Sequence, residues 1–63
     1  MKVFTIKGIN KETKEVINPI DIFYAEELQI TSNVIKFKIY NRICSKELSN
    51  EYEYSIFKEE DVK

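Results

Sequence analysis

Apolar and polar residues alternate along most of this chain, which is the pattern of β-strands with one buried face. The clearest run covers residues 34–42, where Ile35, Phe37 and Ile39 occupy every second position. A helix needs apolar residues three or four positions apart, and that spacing is much rarer here. The alternation therefore predicts an all-β protein.

Turn-forming residues divide the alternating pattern into strands. Asn10 is suited to open a first turn, and Ser32-Asn33 is a plausible two-residue turn. Asn18-Pro19 predicts a bulge or a bend, because proline lacks the amide donor that a strand ladder needs. The predicted extended segments are residues 3–7, 14–17, 20–24, 28–31, 34–42 and 51–57, with residues 58–63 as a short strand or a frayed tail.

Two segments have a helical alternative. In residues 18–28, Asn18 can cap a helix that has Pro19 at its first position, although the β-branched residues Ile20 and Ile22 favour a strand. Residues 42–50 are polar with isolated apolar positions, and we interpret them as a loop or one helical turn that Ser45 caps.

Residues 14–17 and 20–24 are separated only by the bulge or bend, so these segments amount to about five strands. Strands joined by short links favour an antiparallel meander in one domain that covers residues 1–63. Such a meander forms either a small SH3-like barrel or a curved open sheet. A chain of 63 residues buries only about 60% of its unfolded surface, so the core is small. We therefore expect that self-association can contribute to hiding apolar faces and unpaired strand edges.

Charge and composition narrow the setting in which the chain works. Ten basic and eleven acidic residues give a net charge of -1, so any binding to nucleic acid has to be local. The alternating N-terminus lacks the continuous apolar run of a signal peptide, and no stretch is apolar enough to span a bilayer. A lone cysteine, Cys44, suits a reducing compartment, so we expect a cytoplasmic protein without membrane contact.

Catalysis is not expected. The chain contains no histidine, so neither a Ser-His-Asp nor a Cys-His arrangement can form within it. Cys44 is more simply interpreted as a structural thiol than as a nucleophile. A single glycine is too few for a phosphate-binding loop, and the acidic run at residues 59–61 lacks the spacing of a calcium loop. We expect no cofactor, no metal site and no catalytic residue.

Three stretches carry a family resemblance, namely residues 24–30 (YAEELQI), 33–37 (NVIKF) and 56–62 (IFKEEDV). They resemble small, mostly uncharacterised β proteins of bacteriophages and mobile elements. The resemblance concerns the fold, so it transfers no functional residue. It implies a compact β domain in a bacterial cell, with a role in the contest between phage and host.

A basic stripe is the first candidate surface. If residues 34–42 form one strand, Lys36, Lys38, Tyr40 and Arg42 lie along one face. Cations and an aromatic platform are what nucleic-acid binding needs. The alternative is that Glu51 and Glu53 lie across the sheet from the lysines and neutralise them.

Tyrosines supply the second candidate surface. Tyr52 and Tyr54 share one face of the last strand, and together with Tyr24, Tyr40 and Phe57 they exceed what one thin sheet face can hide. Tyrosine is enriched at protein interfaces because it combines a large apolar ring with a polar tip. The leading hypothesis is therefore a non-catalytic module that binds, and inhibits, a bacterial protein such as a component of a defence system. The alternatives are nucleic-acid binding and a structural homo-oligomer.

Overall fold

The protein folds into six antiparallel strands that form two three-stranded sheets. The computed structural model describes residues 1–62. The strands are β1 (Lys2–Asn10), β2 (Val16–Ala25), β3 (Glu27–Thr31), β4 (Val34–Ile39), β5 (Arg42–Glu47) and β6 (Tyr52–Asp61). The prediction of an all-β, antiparallel protein is confirmed.

The two sheets differ in length. The long sheet has the order β2-β1-β6, and the short sheet has the order β3-β4-β5. Only the short sheet is a plain meander, since β6 returns to pair with β1 at the start of the chain. The sheets are not closed into a barrel, so of the two predicted architectures the structure has the open, curved one.

The predicted long strand over residues 34–42 is wrong, because the chain reverses at Tyr40 and Asn41. Both residues have positive φ angles, 48° and 62°, as in the two-residue turns that match the twist of a hairpin. Residues 42–47 then form β5 instead of a loop or a helical turn. The turn is hard to recognise in the sequence because it contains no glycine, and only Asn41 favours this backbone conformation.

Residues 18–28 are extended, so the helical alternative is wrong. The predicted interruption at Asn18-Pro19 is confirmed, since the pairing of β1 with β2 shifts register between Ile6 and Gly8. Three residues of β2, positions 18–20, lie there opposite one residue of β1, and the Asn18-Pro19 peptide bond is cis. Proline is accommodated because it sits where the ladder is already interrupted.

Asn10 opens the first turn as predicted. Its side-chain Oδ1 accepts hydrogen bonds from the backbone N–H groups of Glu12 at 2.9 Å and Thr13 at 3.0 Å. The returning strand begins at Val16, two residues later than the alternation indicates.

The Ser32-Asn33 turn is also confirmed, because Thr31 and Val34 pair on either side of it. The Asn33 side chain donates to the C=O of Leu48 at 2.8 Å, and the Leu48 N–H donates back to the C=O of Asn33 at 2.8 Å. This exchange ties the loop that follows β5 to the turn of the short sheet.

The core lies between the sheets and draws mainly on the long one. The buried side chains are Phe4, Ile6, Phe23 and Ala25 of the long sheet and Ile35 of the short sheet. At the β2 edge, the Lys46 Nζ lies 2.8 Å from the Asp21 carboxylate and 5.6 Å from the centre of the Phe23 ring. A salt bridge therefore joins β5 to β2 across the gap between the sheets.

Close packing explains the one glycine. A Cβ atom at Gly8 would lie 2.7 Å from the Cδ1 atom of Ile20, inside van der Waals contact. The missing side chain lets Ile20 fold over β1 next to the bulge in β2.

The last strand extends further than the predicted residues 51–57, and it continues to Asp61. Phe57 is an extra residue in its pairing with β1, since the register shifts between Thr5 and Ile6. The Val62 N–H still donates to the C=O of Met1 at 3.0 Å, whereas Lys63 lies outside the described residues. None of residues 1–62 belongs to a helix long and apolar enough to cross a membrane.

Candidate functional site

An open groove of about 540 Å³ lies between β6 and the end of β3. Both strands are edge strands, β6 of the long sheet and β3 of the short one. The residues that line the groove are Lys11, Ile30, Ser32, Tyr52, Glu53, Tyr54, Ser55 and Ile56. The lining is therefore mixed, with two aromatic and two aliphatic residues beside four polar or charged ones.

The tyrosines that the sequence singled out form one wall of this groove. Tyr52 and Tyr54 lie with their ring centres 6.3 Å apart, tilted by 40° to each other. The Tyr54 hydroxyl donates to the C=O of Ser49 at 2.6 Å. The Ser49 hydroxyl oxygen in turn accepts the N–H of Glu51 at 3.2 Å, so the loop holds the ring in place.

The surroundings of Tyr54 also affect its titration. Burial is the main cause that raises the pKa of its hydroxyl above 10.0, and the charges of Tyr52 and Glu51 act in the same direction. The hydroxyl therefore keeps its proton at neutral pH and remains a hydrogen-bond donor.

Alternate backbone groups of β6 point away from β1, toward the free edge of the long sheet. The Lys11 N–H donates to the C=O of Glu51 at 2.9 Å, so the backbone of Glu51 faces β1. Successive residues of a strand direct their hydrogen-bonding groups to opposite sides. The next residues of β6 that direct theirs away from β1 are Tyr52, Tyr54 and Ile56.

The same three residues place their side chains on the core face of the long sheet. Ile56 lies directly opposite the buried Ile6, and Tyr54 lies opposite Gly8. Directly opposite residues of an antiparallel pair share a face. The groove thus combines unpaired backbone groups with apolar side chains from the same positions of β6.

Acidic residues dominate the β6 edge. The strand and the residue before it carry Glu51, Glu53, Glu59, Glu60 and Asp61 against the single base Lys58. The Lys58 amine forms a salt bridge with the Glu60 carboxylate at 2.6 Å. The hydrogen bond in this pair raises the pKa of the Lys58 amine. These residues sum to a formal charge of -4 (five carboxylates and one amine), and Lys2 of β1 pairs with Glu59 at 3.5 Å.

The two other aromatic candidates lie elsewhere. Phe57 occupies the bulge of β6 with an exposed ring, and Tyr40 lies in the turn between β4 and β5 with 78% of its surface exposed. Neither contributes to the lining of the groove. The structure therefore brings together Tyr52 and Tyr54 only.

The predicted basic stripe is divided between two faces. Lys36 and Lys38 lie on the outer face of the short sheet, and Tyr40 lies in the turn. Arg42 lies opposite Ile39, which shares the core face with the buried Ile35, so Arg42 is on the other side of the sheet. The stripe is broken because the chain reverses two residues before Arg42.

The proposed neutralisation by Glu51 and Glu53 is wrong, because β6 pairs with β1 and not with β4. On β3, the residues opposite Lys36 and Lys38 are Gln29 and Glu27. A pair of lysines with one carboxylate opposite is a small basic surface. Nucleic-acid binding at this surface stays a prediction, and the geometry does not add to it.

Sequence reasoning missed Ile30 and Lys11 as parts of the groove. Ile30 pairs with Ile35 in the short sheet, and it reaches the groove only because the two sheets face each other. Alternation shows which face of a strand is apolar but not which distant strand lies opposite, so no local signal marks Ile30.

The comparisons add no relative. The chain matches no family model, no curated protein and no solved structure. The resemblance to bacteriophage proteins is therefore still a prediction, and the function has to be argued from the groove itself.

Proposed function

We propose that this protein is a non-catalytic interaction module that binds another protein through the groove between β6 and β3. The observation that carries the proposal is the pair Tyr52 and Tyr54, which lines an open groove next to the unpaired edge of β6. Aromatic side chains fixed in this way are typical anchors of protein interfaces.

The size of the core supports a binding role. The chain exposes 4662 Å², whereas a compact monomer of its 7.5 kDa exposes about 4,200 Å². Large apolar side chains remain exposed at Met1, Val16, Ile22, Tyr24, Tyr40, Ile43, Ile56, Phe57 and Val62. A partner that covers part of this surface would supply burial that the chain cannot achieve alone.

The partner class in this proposal is a bacterial protein. Its support is the resemblance to small β proteins of phages and mobile elements, whose chains act inside bacterial cells. Occupying a surface of a host protein is one way in which a small protein from a phage can act on its host. Inhibition of such a protein, including a component of a defence system, is the activity that we propose.

Affinity capture from bacterial lysate tests this function. The tagged protein is compared with the double variant Tyr52→Ala/Tyr54→Ala and with a matched control, Tyr24→Ala/Tyr40→Ala, which removes two exposed tyrosines outside the groove. Circular dichroism first establishes that each variant is folded. We expect a nuclease-resistant protein that the wild type and the control retain and that the groove variant loses.

Other outcomes contradict the proposal. Retention of the partner by the groove variant would show that the tyrosines are not anchors. Capture that disappears after nuclease treatment would instead favour binding of nucleic acid by Lys36 and Lys38, with an affinity that falls steeply with salt. Light scattering that shows only a homo-oligomer, with no captured protein, would favour the structural alternative.

A further inference from the structure

Resting on the proposed function, we propose that the segment of the partner that enters the groove is an extended strand of alternating apolar and basic residues. This strand adds to the free edge of β6 and makes the long sheet four-stranded. Strand addition to an exposed sheet edge is a common mode of peptide recognition.

Of the four sheet edges in residues 1–62, that of β6 is the most suitable for pairing. The β2 edge is interrupted at Asn18-Pro19, where proline offers no donor. The edges of β3 and β5 comprise only 5 and 6 residues. The β6 strand has 10 residues, and its segment before the bulge at Phe57 is regular from Tyr52 to Ile56.

Apolar residues are expected at every second position of the added strand. The outward backbone groups belong to Tyr52, Tyr54 and Ile56, whose side chains lie on the core face. In an antiparallel pair, the partner residues that bond to them place their own side chains on the same face. Those side chains enter the groove and contact Ile30 on the far wall.

Basic residues are expected at the intervening positions, which face the other side of the sheet beside Glu53 and Ser55. No lysine or arginine of residues 1–62 lies within 4.0 Å of the carboxylate of Glu51 or Glu53. In the segment that borders the groove the two carboxylates are Glu51 and Glu53. Lys11 lies across from Glu51 on the side of β1, so Glu53 is the group that attracts a cationic strand and repels an acidic one.

A second copy of the chain does not fit this description. Within residues 1–62, the strand that best alternates apolar and basic residues is β4, and both of its edges are already paired, with β3 and with β5. Releasing β4 would dismantle the short sheet. Pairing of the β6 edges of two copies would set two acidic strands side by side, and like charges oppose that arrangement. We therefore assign the occupant to a different protein.

A short capped peptide of alternating lysine and valine is the probe. Its affinity is measured by NMR titration of the full chain and compared with two N-methylated forms, one methylated at the valines and one at the lysines. N-methylation removes the backbone N–H donor of a residue. Only the peptide methylated at residues whose N–H groups point toward β6 should therefore bind weakly. For antiparallel addition this is the valine-methylated form, and we expect a loss of about ten-fold or more.

Charge is tested with Glu53→Lys on β6 and a matched control, Glu47→Lys on β5, which makes the same change on an exposed position of the other sheet. We expect Glu53→Lys to weaken binding about five-fold at low salt, and the control to leave it unchanged. A peptide of alternating glutamate and valine should not bind.

Equal affinities of the two methylated peptides, or shifts confined to resonances outside β6 and β3, would overturn the inference. So would growth of the particle to a dimer without peptide, with β6 as the contact. Failure of the proposed function has a different signature. It is decided by affinity capture, in which the variant Tyr52→Ala/Tyr54→Ala either retains or loses the captured partner.

Discussion

The long sheet has two edges that differ in almost every respect. The β2 edge is interrupted at Asn18-Pro19 and is bridged to the short sheet by the salt bridge between Asp21 and Lys46. The β6 edge is regular where it borders the groove, and no strand or salt bridge of residues 1–62 joins it to the short sheet. Neither edge is paired with a further strand in residues 1–62, but the β2 edge is interrupted by proline, whereas the β6 edge is regular beside the groove.

The difference bears on how a small open sheet limits aggregation. An unprotected edge invites non-specific pairing, and natural proteins reduce this risk with proline, bulges and charge. Here proline protects β2, whereas β6 carries a bulge at Phe57 and an excess of carboxylates. Negative charge discourages acidic strands and favours basic ones, which is why we propose that the β6 edge is selective.

The largest expected effect comes from the strand that supports both edges. Ile6 of β1 is fully buried, and it pairs with β2 on one side and β6 on the other. Ile6→Ala should lower the free energy of unfolding by about 3 kcal/mol, which is a large part of the stability of a domain this size. Chemical denaturation measures this effect.

The matched control for Ile6 is Thr5→Ala, at the next position of β1, which faces away from the core. If both variants lost the same stability, the core would not lie on the face that the structure gives it.

A smaller loss is expected from Gly8→Ala, since the added methyl group meets the Cδ1 atom of Ile20 near the bulge in β2. We expect a cost of about 1 kcal/mol, because Ile20 has to shift. Thermal denaturation should show partial recovery in the double variant Gly8→Ala/Ile20→Val, which lacks the Cδ1 atom. A purely additive double variant would rule out this contact as the cause.

The groove side is tested by Tyr54→Phe, which removes the hydrogen bond to the C=O of Ser49. The expected loss is about 1 kcal/mol in the free energy of unfolding. Tyr52→Phe serves as the control, because no described hydrogen bond uses the Tyr52 hydroxyl. Equal losses in the two variants would show that the Ser49 contact contributes nothing specific.

High pH should act on the same contact. The pKa of Tyr54 is raised mainly by burial, so above pH 10.0 the unfolded chain loses this proton more readily than the folded one. The contribution of the Tyr54 hydroxyl to the free energy of unfolding is therefore fully present below pH 10.0. It is lost as the pH rises through the raised pKa of the folded state. Urea denaturation at a series of pH values should show a shallower decline in Tyr54→Phe, and parallel declines would contradict the assignment.

The smallest effect is expected at the β2 edge. Lys46→Met removes the salt bridge to Asp21, but the lysine side chain is 52% exposed, so the loss should be only about 0.5 kcal/mol. Denaturation in high salt should reduce the difference further. A loss comparable to that of Ile6→Ala would mean that the bridge, and not the core, holds the sheets together.

The sequence predicted the fold class because alternation is a local signal. It identified the turn at Ser32-Asn33, the interruption at Asn18-Pro19 and the last strand. It missed the reversal at Tyr40 and Asn41 because a turn without glycine or proline carries a weak signal. The pairing of β6 with β1 joins residues far apart in the chain, and periodicity contains no information about such partners.

The candidate site was predictable to the same degree. The alternation predicted that Tyr52 and Tyr54 share one face, and the register of β6 against β1 confirms it. It could not show that Ile30 of the other sheet completes the groove. The four-residue basic stripe failed for a single reason, since one unrecognised turn moved Arg42 to the opposite face.

The central claim is that β6 offers free backbone groups to an added strand, and amide hydrogen exchange tests it most directly. In the free protein, the amides of Tyr52, Tyr54 and Ile56 should exchange faster than those of Glu53 and Ser55, which face β1. With the lysine–valine peptide bound, exchange at the first three should slow. Unchanged exchange along β6, or slowing confined to β2, would contradict the account.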